Sequence, residues 1–112
     1  MTLSELNEHF EKIYNLNQAY DVLASLREKA NIPAIAIEIA DMKARIAKRE
    51  EAVRESSLAV MAFVGSIHNK QTRLIFYYRF VCGQLWREVA AKVGISEASA
   101  KIACYRFLRK NR

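Results

Sequence analysis

The side chains most often used for chemistry are present in this chain, but none is arranged for it. His9 and His68 stand alone and far apart, and Cys82 and Cys104 are isolated in apolar surroundings. A zinc site needs ligands converging on one point, usually supplied as closely spaced Cys or His pairs. No such pair occurs. Glu50 and Glu51 fall within Arg49–Glu55, a mixed-charge stretch that reads as a solvated helix face with partners four residues away. There is no glycine-rich phosphate loop and no nucleophile elbow. An enzyme, a metal site and a cofactor are therefore not expected. The two cysteines read as free thiols in a reducing cytosol rather than as a disulfide.

The charged residues say more. The chain carries a net charge of +6. Residues 1–30 are net −2 and residues 31–68 are neutral, whereas residues 69–112 hold ten basic and two acidic side chains, net +8. The whole positive excess thus lies in one segment, as expected of an electrostatic footprint for a polyanion. That segment also contains Phe76, Trp86, Val89, Val93 and Ile95, which must pack somewhere, so it reads as a folded unit rather than a solvated tail. Arg109, Lys110 and Arg112 read as its basic, fraying end.

The elements that position these charges read as helices. Three glycines and one proline leave little for hairpin turns. The opening MTLSELNEHFEKI has neither a basic nor an apolar signal region, and no run of about 18 apolar residues is present, so neither a signal peptide nor a membrane span is expected. Residues 3–29 show an amphipathic stripe of Leu3, Leu6, Phe10, Ile13, Asn17, Tyr20 and Ala24 at alternating steps of three and four. Asn31 is then a candidate N-cap, with Pro33 in the first turn of the next helix. That helix runs to about Ile67 on a stripe of Ile32, Ile35, Ile39, Met42, Ile46, Val53, Val60, Phe63 and Ile67, interrupted by Arg49 and Ser56. Two such helices joined by a tight turn predict an antiparallel hairpin over residues 1–68, a coiled-coil-like arm. Its apolar seam (Leu6, Phe10, Ile13, Asn17, Tyr20, Ile35, Ile39, Met42, Ile46 and Val53) is wide enough to recruit a second copy. A homo-dimer or higher homo-oligomer is the expectation, with Asn17 as a register-setting polar residue.

Residues 69–112 break into three shorter helices. Asn69 or Ser66 can cap the first, which is expected to end near Phe80. Cys82-Gly83 signals a turn. The second spans about Leu85–Lys92, and the third, capped by Ser96, about Glu97–Arg109. The string Trp86–Ala103 carries the most information. For one helix to project into a DNA major groove, its predecessor must cross it closely at a tight turn. Ala90 is small where the helices would touch, Gly94 sits where positive φ is needed, and Val89, Val93, Ile95, Ala100 and Ala103 supply the facing apolar surfaces. The expected fold is therefore all-α, a helical hairpin followed by a three-helix helix-turn-helix module.

The sequence GQLWREVAAKVGISEASAKIACYRFL resembles the C-terminal helix-turn-helix, region 4, of bacterial sigma-70 factors. In style it is nearer to the small phage and prophage proteins that append this module to a helical N-terminus. The resemblance covers about residues 74–108 and includes Arg79, Phe80 and Gly83, which fill a preceding R-Y-x-x-G-type helix end. It departs at Ala100, where the family usually carries valine or threonine, and residues 1–68 match no motif. The resemblance implies that the third helix enters the major groove with Ser96, Glu97, Ser99, Lys101, Ile102, Tyr105 and Arg106 on or near its outward side. Arg73, Arg79, Arg87 and Lys92 would then position the module on the phosphate backbone. Trp86 reads as core or hinge rather than a stacking platform.

The implied function is a cytoplasmic, sequence-specific duplex-DNA-binding transcription regulator. Two other readings fit the same sequence. A DNA-packaging protein resembling a terminase small subunit would also join a basic helix-turn-helix to coiled helices, and it would assemble into rings. A module contacting RNA polymerase through protein surfaces would need no DNA affinity at all.

Overall fold

The computed structural model describes residues 1–111, so Arg112 of the basic end lies outside it. Among these residues the chain is all-helical, with α1 over Leu3–Arg27, α2 over Ile35–Gly65, α3 over Lys70–Phe76, α4 over Trp86–Val93 and α5 over Glu97–Lys110. None of these helices is long and apolar enough to cross a membrane.

A capping box starts α1. The Thr2 hydroxyl accepts the Glu5 N–H at 3.2 Å, and the Glu5 carboxylate accepts the Thr2 N–H at 3.0 Å. The carboxylate is held below its usual range by its bonds from Thr2, the backbone one first. α1 and α2 pack antiparallel along their lengths. Tyr20 Oη donates to Glu50 at 2.9 Å, Arg49 donates to the Asn15 carbonyl at 3.3 Å, and His9 pairs with Ser56 further along. Arg49 and Ser56 therefore meet polar groups of α1 where they break the apolar stripe of α2.

The buried face of α1 differs from the expected stripe. It runs Leu6, His9, Ile13, Leu16, Ala19 and Leu23. Beyond Ile13 the contact moves one residue earlier, so that Leu16, Ala19 and Leu23 replace Asn17, Tyr20 and Ala24. Burying leucine is favourable, whereas an amide or a phenol in the same place would need a partner. Leu6, Ile13 and Ile46 are buried within the single chain, while Phe10, Ile35, Ile39, Met42 and Val53 are half-buried. Asn17 and Tyr20 lie outside, and each hydrogen-bonds within its own chain.

The start of α2 is a second departure. Asn31 caps nothing, and the helix begins two residues after Pro33, with Ala34 at the cap and no side-chain bond there. The connection is made instead of overlapping tight turns, among them Ile32 N–H to the Lys29 carbonyl and Ile35 N–H to the Ile32 carbonyl, both at 3.0 Å. The residue before a proline avoids helical geometry, and Pro33 has no N–H to offer.

One core unites all five helices. Leu6 of α1 and Val60 and Val64 of α2 join Ile67, Ile75, Phe76, Phe80, Val89 of α4 and Cys104 of α5 in a single buried cluster. Phe76 is at its centre, with ring centroids 6.0 Å from Phe63, 5.5 Å from Phe80 and 5.3 Å from Phe107. A smaller cluster of Leu16, Ala19, Leu23 and Ile46 holds the far end of the α1–α2 pair.

Among the described residues His9 is the one fully buried polar side chain, 2% exposed, with Nδ1 against the Ser56 hydroxyl. Burial pushes its pKa down, and nearby Lys12 adds to the effect. The folded chain thus favours the neutral imidazole. The unfolded chain takes up a proton below about pH 6.5, so stability should fall as pH drops through and below that value. Thermal melts at about pH 7.5 and about pH 5.5 should show this loss, and it should shrink in His9→Gln. Equal pH dependence in the two proteins would rule out His9 as its source.

Candidate nucleic-acid interface

Asn69 caps α3, its side chain accepting the Thr72 N–H at 3.0 Å. The sequence predicts a regular helix to about Phe80, but the helix widens after Phe76 into a π segment, Tyr77–Val81, closed by Cys82 N–H on the Tyr77 carbonyl at 3.0 Å. Such wide turns commonly mark irregular, specialised stretches of helix. This one leads into the Cys82–Gly83 bend, where Gly83 has φ +71°. The Asn17 side chain donates to the Cys82 carbonyl at 3.2 Å and ties the bend to α1.

At the entry to α4, Glu88 reaches back to accept the Leu85 N–H at 3.1 Å. α4 ends at Gly94 in the left-handed conformation, φ +83°, with its N–H on the Ala90 carbonyl at 2.8 Å. Ile95 N–H shares that carbonyl at 3.1 Å. Ser96 then caps α5, its hydroxyl accepting the Ser99 N–H at 3.1 Å and lying 2.8 Å from the Ser99 hydroxyl. Three residues, Gly94, Ile95 and Ser96, therefore separate the two helices. Val89, Ala90 and Ala100 are buried where the helices pack, and Ala100 is fully so.

The expected outward residues divide into two groups. Ser96, Glu97, Ser99, Ile102, Tyr105 and Arg106 are exposed, and Lys101 is half-buried. Glu97 and Lys101 face each other at 3.7 Å. The opposite side of α5 holds Ala100 and Cys104 in the core, with Ala103, Phe107 and Leu108 packed against it. Burial pushes the Cys104 thiol up to about 12, so it stays protonated and inert. Ala98 and Arg109 are also exposed. With about 3.6 residues per turn, they complete a stripe of Ala98, Ile102, Tyr105 and Arg109 along the middle of the outward face. Tyr105 meets the Trp86 edge at a centroid distance of 6.4 Å. Tyr105 and Arg109 also border an open cleft of about 690 Å³ shared with Thr2, Leu3 and Ser4 at the start of α1.

The four basic residues expected to grip the backbone do not act alike. Arg87 and Lys92 are exposed on α4, with Lys92 Nζ 5.1 Å from the Tyr78 ring. Arg73 instead donates to the Ile67 carbonyl at 2.8 Å and the His68 carbonyl at 3.4 Å, closing the connection from α2. Arg79 turns inward. Its guanidinium carbon lies 3.6 Å from the Phe10 ring centroid and 4.7 Å from that of Trp86, and Nη1 donates to the Gln84 carbonyl at 3.0 Å. Burial pulls its pKa below the usual arginine range. Such a cation between two aromatic faces holds α1, the bend and α4 together, and it is not placed to meet a phosphate. From sequence, a surface arginine and a sandwiched one look alike, because the difference lies in Phe10, which is remote along the chain.

Among the described residues, no group of three His, Cys, Asp or Glu is placed to hold a metal ion. The site offers instead a capped, exposed helix end on a rigid support, with cations around it. No protein-family model, curated protein or solved structure matches this chain.

Proposed function

We propose that this chain is a sequence-specific duplex-DNA-binding transcription regulator of the small phage or prophage type. In this reading α4 and α5 form a helix-turn-helix, α5 enters the major groove, and α1 and α2 form a hairpin arm that supports it. The observation that carries the reading is the outward face of α5. It follows a tight Gly94 turn, begins at the Ser96 cap, and belongs to the segment of net charge +8. Arg87, Lys92, Arg106 and Arg109 are exposed on α4 and α5 and would neutralise phosphates. The sigma-70 region 4 resemblance of residues 74–108 supports a role at promoters. Two copies would pair through what the α1–α2 seam leaves uncovered, since Phe10, Ile35, Ile39, Met42 and Val53 are only half-buried within one chain.

The test is a titration of fluorescent duplex DNA at several salt concentrations. The slope of log affinity against log salt should be about −0.9 per phosphate neutralised. With about four phosphates, affinity should fall roughly a hundredfold between about 50 and 200 mM salt. A flat response, or no binding at the low end, would overturn the reading in favour of a protein-contacting module such as one docking on RNA polymerase. A large closed ring in light scattering would favour DNA packaging.

A further inference from the structure

We infer that α5 reads its DNA chiefly through thymine methyl groups, with Ile102 as the principal specificity-determining side chain and Ala98 beside it. The inference rests on the reading of α5 as a major-groove helix. Ile102 is 53% exposed, and it is a β-branched hydrocarbon at the middle of the outward face. Ala98 is exposed one turn earlier on the same stripe. The polar groups in the first turn are exposed, but each already has a partner within the helix. Ser96 and Ser99 share a hydroxyl contact, the Ser96 oxygen holds the Ser99 N–H, and Glu97 faces Lys101 on the flank. The long cations, Arg106 and Arg109, come later in the helix. Bases are read mainly by the N-terminal part of a recognition helix, while later residues approach the backbone.

The middle of the outward face, between that first turn and the later cations, thus presents a small apolar patch, Ala98 and Ile102, with the Tyr105 phenol one turn beyond. The one apolar feature that a base pair offers in the major groove is the thymine 5-methyl. Isoleucine against that methyl excludes water from both, and alanine allows the groove floor to come close. Neither side chain can donate or accept a hydrogen bond, so guanine and cytosine edges facing them would lose their water without replacement. The expected recognition sequence therefore has one or two thymines at the centre of the α5 contact.

The experiment begins by selecting bound duplexes from a random pool with the full chain. Each thymine of the enriched sequence is then replaced singly by uracil, which removes the methyl and keeps the pairing. At one or two positions affinity should fall about fourfold, the equivalent of ~0.8 kcal/mol for one buried methyl-sized group. In Ile102→Ala the thymine-to-uracil difference at one of these positions should shrink toward one. In Ile102→Asn the selected base there should shift toward adenine. Position 102 is solvent-facing, and circular dichroism will show that both variants keep their helix content. An enriched sequence indifferent to uracil would overturn the thymine inference and leave DNA binding standing. A pool that binds without enrichment would overturn sequence-specific readout itself, and with it the inference.

Discussion

Gly83→Ala should lower the stability of the chain by about 2–5 kcal/mol. The first contribution is backbone strain. Gly83 has φ +71°, and a left-handed conformation costs a residue with a Cβ about 1–2 kcal/mol. The second is a clash. A Cβ at Gly83 would lie 2.5 Å from Ile13 Cγ2 and 3.2 Å from both Ile13 Cβ and Asn17 Nδ2. Ile13 is buried, and its branch point cannot swing away, so overpacking adds roughly 1–3 kcal/mol. For a domain of this size the melting temperature should fall by about 10 °C or more. Gly94 provides the comparison, because it has φ +83° but a Cβ there would meet nothing within 4 Å. Gly94→Ala should therefore show the backbone part alone, about 1–2 kcal/mol. Ile13→Leu removes the offending methyl, so in combination with Gly83→Ala it should recover part of the loss, a coupling that a double-mutant cycle measures. Equal effects at the two glycines would show that the bend does not press on α1.

The contrast between the two glycines also marks how far the sequence can be read. Local signals are legible. Gly94 and Ser96 stand at the turn and cap expected of them, Asn69 caps α3, and the small Ala90 and Ala100 lie where α4 and α5 pack. Each of these depends on neighbours within about one turn. The all-helical class follows in the same way from long stripes and scarce turn residues. Two local expectations fail, the Asn31 cap and the regular helix to Phe80, and the other departures depend on residues far apart in the chain. Asn17 fits a seam position by spacing, yet Leu16 is the buried residue and Asn17 binds the Cys82 carbonyl, 65 residues later. Arg79 looks like one more surface cation until Phe10 and Trp86 close over it. Arg73 likewise serves two carbonyls of the preceding connection. Of the four cations expected on the DNA backbone, only Arg87 and Lys92 stay outside, because Arg73 is taken up by the Ile67 and His68 carbonyls and Arg79 by the Gln84 carbonyl and the Phe10 and Trp86 rings. Within the capped helix itself, the outward side chains are identifiable from 3.6-residue periodicity.

The last expected result concerns the same long-range dependence. The fragment 69–112, which holds the proposed DNA-reading helices, should be largely unfolded on its own. Its core is incomplete, since Leu6 comes from α1, Val60 and Val64 from α2, and Ile67 from the connection that follows. Burying each such side chain contributes about 1.5–3 kcal/mol, so removing the four withdraws about 6–12 kcal/mol. That is comparable with the ~5–15 kcal/mol of net stability typical of a whole domain. Arg79 would lose Phe10, and the Cys82–Gly83 bend would lose its tie to Asn17. A segment of 44 residues has little further apolar surface with which to compensate. Circular dichroism of the fragment should show low helix content and no cooperative melt, and its affinity for duplex DNA should fall far below that of the full chain. Adding a separate peptide of residues 1–68 should restore helix content beyond the sum of the two spectra, because the missing core residues are then supplied in trans. A fragment that melts cooperatively by itself would show that α3, α4 and α5 carry a sufficient core. The α1–α2 pair would then have a task other than completing it.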